Sequence, residues 1–429
     1  MSRHLLTVPT GLLSIFALGA LLWVGPVSHA DAPPTASASP RWYKGNLHTH
    51  SLWSDGDDFP ERIAAWYRDN GYQFLGISDH NTIQTGEKWV RFADLKKRGA
   101  AAATRQYLKD FADLAKTRGD TSTEAFEIRL SPFADYAPKF DRPGEFLMIP
   151  SEEISDKFEQ KPIHMNATNI AGEAIKPQGG SSVVEVIRNN LKAAEERSRE
   201  LNRPILVHLN HPNFKWGVTA EEIAEAVEER FFEVFNGHPI VYQEGDATHP
   251  SIDRIWDIAN TLRVTAFKAA PLFGVGTDDS HNYHVSGMTR ATSGRGWVCV
   301  RAKSLSAADL IAAMKAGDFY ASSGVVLSDV RYDAAAGALK VSVAADGDAK
   351  FVTRFIGTLA PDDGKSIPPE AVGVELAKVE GRNATYKLTG KELYVRAQIT
   401  SDQTPANPCM KDQKKQAWTQ PVGWEKRVK

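Results

Sequence analysis

Histidine and carboxylate residues recur along this chain in short, ordered groups. The first is His48-Thr49-His50, followed by Ser54-Asp55-Gly56. Residues i and i+2 of a strand share a face, so both imidazoles are set to reach one ion, and the loop beyond returns Asp55 toward it. Ser78-Asp79-His80-Asn81 and Ser151-Glu152-Glu153-Ile154 each follow an apolar run. His164 stands in Pro162-Ile163-His164 and His211 in Asn210-His211-Pro212. The series closes on Asp279-Ser280-His281, again with two donors one residue apart. Imidazole together with carboxylate suits Zn, Mn or Fe. A lone histidine near a strand end is an ordinary hydrogen-bonded residue, and His208, His238, His249 and His284 are read that way first. Six histidines and three carboxylates delivered in series are instead expected to bind metal.

The elements that must position these groups alternate. Strands are predicted at 43–48, 74–78, 146–150, 163–168, 205–208, 231–235, 272–276 and 296–301. Helices are predicted at 60–70, 102–118, 181–201, 220–229, 251–262 and 305–316, with Pro60 in a first turn and Thr219 and Ser304 as caps. Such alternation predicts βα units around a parallel sheet or barrel, whose C-terminal strand ends face the active site. Segment 84–145 is too long for an ordinary connection and is expected to insert a helical cap or lid. Beyond Ser323 helical periodicity fades, and short strands with turns such as Asp346-Gly347 predict a small β-sandwich over 324–429.

Arg3, the apolar run from Leu12 to Val24 and the small residues of Ser28-His29-Ala30 have the order of a secretory leader. Residues 1–30 are therefore expected to be cleaved, leaving a Pro- and Ala-containing linker at 31–40 and no stable membrane insertion. The expected location is periplasmic or secreted. In an oxidising compartment Cys299 and Cys409 can bridge; the alternative is two unpaired thiols. With 429 residues, 42% hydrophobic and 24% charged, the chain has the composition of a soluble globular protein. Its formal charge of −2 gives no basic excess for gripping nucleic acid.

The succession of H-x-H with a following S-D-G, a D-H, a glutamate, a His, an H-P and a terminal D-x-H resembles the polymerase-and-histidinol-phosphatase (PHP) family. The resemblance runs from about Trp42 to Ala321. It implies an α/β fold, a distorted (βα)7 barrel over 41–323, with an open site for two or three divalent ions. It also implies a ligand set: His48, His50, Glu153 and Asp279 on one ion, Glu153 bridging to a second held by His164 and His211, and Asp55, His80 and His281 on a third. Some relatives carry histidine where this chain has Asp55. Glu152 and Asp278 compete with Glu153 and Asp279, and the family pattern favours the latter pair. The stretches 45–56, 294–298 and 417–421 resemble more narrowly the exported CehA/McbA-like metallohydrolases, which carry a β-sandwich after the barrel.

Water on a divalent ion has its pKa lowered toward ~7, so a hydrolase of this kind needs no serine or cysteine nucleophile. No G-x-S-x-G elbow, phosphate-cradling glycine loop or dinucleotide fingerprint is present. Three divalent ions against Asp55, Glu153 and Asp279 leave a formal charge of about +3, which favours an anionic phosphoryl group; two ions leave about +1 and admit a neutral ester. The expected substrate is a small phosphoester. The alternatives are a carboxyl ester or carbamate at the same site, or metal or ligand binding without turnover. Asn46, Asp79 and Asn81 are candidates for orienting imidazoles. His284 and Arg290, beyond the last group, are candidates for contacting substrate or protonating the leaving group. Lys88 and Arg91 of the insertion are candidates for meeting an anion.

Overall fold

The computed structural model describes residues 39–361 and 366–428. The expected leader and residues 31–38 of the linker lie outside the described residues. No helix among those described is long and apolar enough to cross a membrane.

β1 (Arg41–Asn46) pairs in parallel with β2 (Phe74–Ile77), and α1 (Pro60–Asp69) connects them. β2 is the continuous apolar run FLGI, buried at every position, as a covered parallel strand requires. Between them the turn at 51–59 carries Asp55. Its Leu52, Trp53 and Phe59 pack into one core with the insertion's Phe92, Leu95, Tyr107, Phe126 and Ile128.

The insertion differs from the helical cap expected. β3 (Lys88–Arg91), β4 (Thr117–Arg118) and β5 (Glu127–Leu130) make a separate antiparallel sheet in the order β3-β5-β4. α2 (Phe92–Lys97) and α3 (Ala101–Asp110) share its core, and α4 (Phe133–Phe140) packs instead against α1 and the strand Leu147–Phe158. The helix expected to reach Arg118 stops at Asp110, because Thr117 and Arg118 pair with Ile128 and Glu127 instead.

The main sheet continues with β6 (Leu147–Phe158), β7 (Lys161–Thr168), β8 (Leu206–Leu209), β9 (Phe231–Asn236) and β10 (Phe273–Thr277). β6 begins in parallel with β2, then runs on past the sheet edge as a hairpin with β7. β7 is antiparallel to both neighbours, so its first residues lie at the carboxyl edge of the parallel strands. β8, β9 and β10 are again parallel. α5 (Val183–Glu200), α6 (Ala220–Glu225) and α7 (Ile252–Thr265) connect them. Thr219 and Glu222 form a reciprocal capping box on α6.

β11 (Trp297–Ala302), α8 (Ala307–Lys315) and β12 (Phe319–Ser322) extend the far side of β1. α8 is capped by Ser306 rather than Ser304, whose hydroxyl bonds Asp309 instead. Of the seven strands β1, β2 and β6–β10, all but β9 carry or lead into the motif residues. Their ladder is not a closed barrel among the described residues. Beyond its ends, one parallel bridge joins Thr49 to Ser280. Asp279 N–H donates to His48 O at 2.9 Å, and His50 N–H donates to Ser280 O at 2.9 Å. These two bonds draw the first and last motif segments together.

β13 (Leu327–Asp333), β14 (Ala338–Val343), β15 (Phe351–Leu359), β16 (Val374–Glu380), β17 (Asn383–Lys387), β18 (Glu392–Ser401) and β19 (Gln416–Thr419) follow. β19 pairs with β12 on one side and β18 on the other, so β19, β18, β15 and β16 prolong the main sheet to thirteen strands. β13, β14 and β17 form a sheet of their own. Its Leu339, Val341, Val343 and Ala384 share a core with Phe355, Val395, Ala397 and Ile399 of the prolonged sheet. Cys299 and Cys409 are both buried free thiols, so the bridge weighed from the sequence is not formed.

Candidate metal centre

All nine residues expected to ligate metal converge on the carboxyl edge of the seven strands. His48 and His50 follow β1, His80 follows β2, and Asp279 and His281 follow β10. Glu153 lies within the overrunning part of β6, bridged to His80. His164 reaches the same edge because β7 runs the other way, which sets it opposite Ser155. Asp279 adopts a φ of +48°, uncommon for a non-glycine residue and held here by its bond to His48 O.

His48, His50 and Glu153 form one donor group, and Asp279 stands beside both imidazoles. His48 Nε2 and His50 Nε2 are 3.1 Å apart. Asp279 Oδ1 is 3.2 Å from each, and the Glu153 carboxylate oxygens are 3.5 Å from each. Donors around one tetrahedral Zn with bonds near 2.0–2.1 Å sit about 3.3 Å apart, so the spacing of the two imidazoles from each other and from each carboxylate suits an ion. Glu153 also lies 2.6 Å from His80 Nδ1, 3.0 Å from His164 Nδ1 and 3.5 Å from His211 Nε2. One fully buried carboxylate therefore faces five imidazoles.

The remaining donor groups differ in part from the set implied by family resemblance. His80 groups with Glu153 and His164, while His211 groups with His48 and Asp279. Asp55 groups with His50, His80 and His281. Its oxygens stand 3.3 Å from His281 Nε2 and 3.6 Å from His80 Nε2. The Asp55 side chain is 56% exposed, against 0% for Glu153, so this group forms the open side of the cluster.

Ionisation follows the geometry. Burial lifts the Glu153 carboxyl, but His80, His164 and His48 outweigh it and hold it well below the carboxylate range. Asp279 is likewise held down against its burial, chiefly by His48 and His50. Burial and the neighbouring His281 push His50 down to about 4. Glu152 and Asp278 point elsewhere. Glu152 accepts from Ile175 N–H at 2.7 Å, and burial pushes it up to about 7. Asp278 accepts from Tyr67 Oη and from the N–H groups of Gly294, Arg295 and Gly296.

Of the three residues considered for orienting imidazoles, Asp79 acts at one remove. It accepts from Ser54 Oγ, which also lies 3.3 Å from His50 Nδ1. Asn81 binds both backbone groups of Ser155, whose hydroxyl is 2.5 Å from His80 Nδ1. Asn46 holds His48 N–H and Asp278. His284 and Arg290 are outside the donor groups. His284 Nε2 lies 3.2 Å from Asp57 O and 3.5 Å from Asp58, and exposed Arg290 donates its N–H to Gly287 O. Lys88 donates to Trp53 O, and Arg91 is exposed and paired with Asp94.

Sequence reasoning missed Glu233, Asn236 and Asn210. Glu233 Oε1 is 2.7 Å from His48 Nδ1. Asn210 Nδ2 donates to Glu153 at 2.8 Å, and Asn236 Nδ2 donates to Asp279 at 3.1 Å. The signal for Glu233 was present: it is the one charged residue in the six-residue apolar strand FFEVFN.

Neither a protein-family model nor a curated protein matches the chain. Among solved structures, it is similar to a two-domain protein from Bacteroides vulgatus containing a predicted PHP-like metal-dependent phosphoesterase. The TM-score is 0.41 and the identity 14%, over 91% of this chain and 100% of that one. A candidate metal-dependent phosphoesterase from Bifidobacterium adolescentis aligns at TM-score 0.27 and 11% identity, over 55% of this chain and 87% of that one. Scores at this level assign no residue role to the chain.

Proposed function

We propose that this chain is a metal-dependent hydrolase of the PHP type that acts on a small phosphoester. The observation that carries the reading is that His48 Nε2 and His50 Nε2 lie 3.1 Å apart, each 3.2 Å from Asp279 and 3.5 Å from a Glu153 oxygen, with only histidines as ion-pair partners of the two carboxylates. Four buried donors without a balancing lysine or arginine suit a cation.

In this reading His48, His50, Glu153 and Asp279 hold one divalent ion, His164 and His211 share Glu153 with a second, and Asp55, His80 and His281 hold a third. Such ions would supply Lewis acidity and activation of water near neutral pH. The chain's own contribution is to keep Glu153 and Asp279 ionised and to exclude solvent from the buried side. Substrate enters over the exposed Asp55. Seven strands tied by the Thr49–Ser280 bridge support a distorted, open (βα)7 barrel, and the core between the last two sheets supports a β-sandwich after it. The leader-like residues 1–30 support export, and the stretches noted above support the CehA/McbA-like branch.

A carboxyl ester or carbamate is the second reading. Asp55 favours it: the most exposed donor holds its ion least well, and a two-ion cluster of lower charge suits a neutral ester. Release of p-nitrophenol from a phosphomonoester, a phosphodiester, an acetate and a carbamate by the metal-replete protein separates the two. The proposal expects a phosphate ester to lead. A lead for acetate or carbamate replaces it with the second reading, and no turnover of any removes both.

A further inference from the structure

Beneath the donor cluster lies a carboxylate that touches three of its segments. Glu233 is 1% exposed and stands on β9, a strand that contributes none of the nine expected ligands. Its Oε1 is 2.7 Å from His48 Nδ1 and accepts from Thr277 Oγ1 at 2.7 Å. Its Oε2 accepts from His211 N–H at 2.8 Å and from Asn236 Nδ2 at 2.8 Å. Asn236 Nδ2 is shared with Asp279 Oδ2 at 3.1 Å. One side chain thus reaches the ring of His48, the backbone of His211 and, through Asn236, the carboxylate of Asp279. His208 Nε2 lies 3.6 Å away, too far for a direct hydrogen bond.

We propose that Glu233 is the positioning residue of the metal centre. It fixes His48 with its proton on Nδ1, which leaves Nε2 free to ligate, and sets the spacing of His48, His211 and Asp279. A carboxylate is suited to this because it accepts only and can take four bonds at once. Histidine ligands generally depend on such a partner on the second nitrogen, and its loss typically weakens metal binding 10–100-fold. The inference rests on the metal-centre reading above.

The test is titration of the metal-stripped full chain with Zn²⁺ by calorimetry, for wild type, Glu233→Gln and Glu229→Gln. Glu229 is a second buried glutamate, at the other end of β9 and outside the donor groups, so it controls for loss of a buried carboxylate. The expected result is Glu233→Gln binding the tightest ion at least about tenfold more weakly, with Glu229→Gln close to wild type. Equal affinity in Glu233→Gln, or an equal loss in Glu229→Gln, overturns the proposal while leaving the metal centre standing. Absence of stoichiometric binding by wild type overturns the metal-centre reading itself. Should Glu233→Gln not fold, long-range ¹H–¹⁵N correlation on Zn-loaded wild type decides: a proton on His48 Nδ1 supports the role, and a proton on Nε2 overturns it.

Discussion

Arg396 of β18 lies 1% exposed beside α7, where its guanidinium meets Asp257 through two bonds of 2.9 and 2.7 Å and Asp253 at 3.1 Å. Tyr394 Oη also donates to Asp257, and Trp418 Nε1 and Gln398 Nε2 donate to Asp253. The cluster around Glu153 is buried as deeply, yet its ion-pair partners are all histidines. The first cluster contains its own cation in a planar fork that matches carboxylate geometry. The second sets its carboxylates against imidazoles, with no lysine or arginine among their ion-pair partners. Burial of charge is therefore no mark of function; the mark is whether the chain supplies the balancing charge.

That contrast can be broken by substitution. The largest effect is expected from Asp279→Ala or His50→Ala. Either should cut phosphoester turnover by about three orders of magnitude or more, since water activation is lost, with an unchanged circular dichroism spectrum. Wild-type turnover in either variant would sink the proposed site. Arg396→Met should do the converse. Leaving Asp257 and Asp253 buried without their cation is expected to cost about 3–5 kcal/mol in denaturant unfolding. Zn²⁺ affinity of the folded fraction should stay near wild type. Loss of metal binding without loss of stability would reverse the assignment of the two clusters.

A smaller effect sharpens the comparison within the site. Asp55→Ala should lower metal content by about one ion per chain, because the exposed group loses its only carboxylate. Unchanged stoichiometry removes the third ion. A pH-dependent effect on stability is expected at Glu229, which burial raises from 4.5 to about 8. The folded state keeps this proton where the unfolded chain has lost it. Its contribution is thus full below pH 4.5 and declines as pH rises through 8. The stability difference between wild type and Glu229→Gln, followed from pH 5 to 9, should shift steadily against wild type. A flat difference would contradict the raised value.

The strands that bear the motifs were legible because each is a short apolar run with a polar group just past its end. β2, expected at 74–78, spans Phe74–Ile77, and β9, expected at 231–235, spans Phe231–Asn236. The overrun of β6 was not legible. Residues 151–158 are largely polar, and their extended form is set by pairing with β7, a tertiary fact. The same pairing reverses β7 and brings His164 to the site by a route that an all-parallel reading does not contain. The insertion was visible by length, but its sheet rests on a two-residue strand, β4, too short for any periodicity. The donors read from H-x-H, D-H and D-x-H spacing do come together. The supports Asn210 and Asn236 were overlooked because hydrogen-bonding residues carry no spacing signature, whereas Glu233 was marked by its lone charge in an apolar strand. Cys299 and Cys409 lie in separate apolar cores, a placement their sequence positions do not reveal.

The central claim is that the charge missing from the Glu153 cluster is supplied by metal. Elemental analysis of the purified full chain after exhaustive dialysis, before and after chelation and reloading, tests it most directly. The account predicts two or more divalent ions per wild-type chain, lost with phosphoesterase activity on chelation and recovered with it on reloading. Chain that retains full activity with no stoichiometric metal, or that takes up none on reloading, would contradict it.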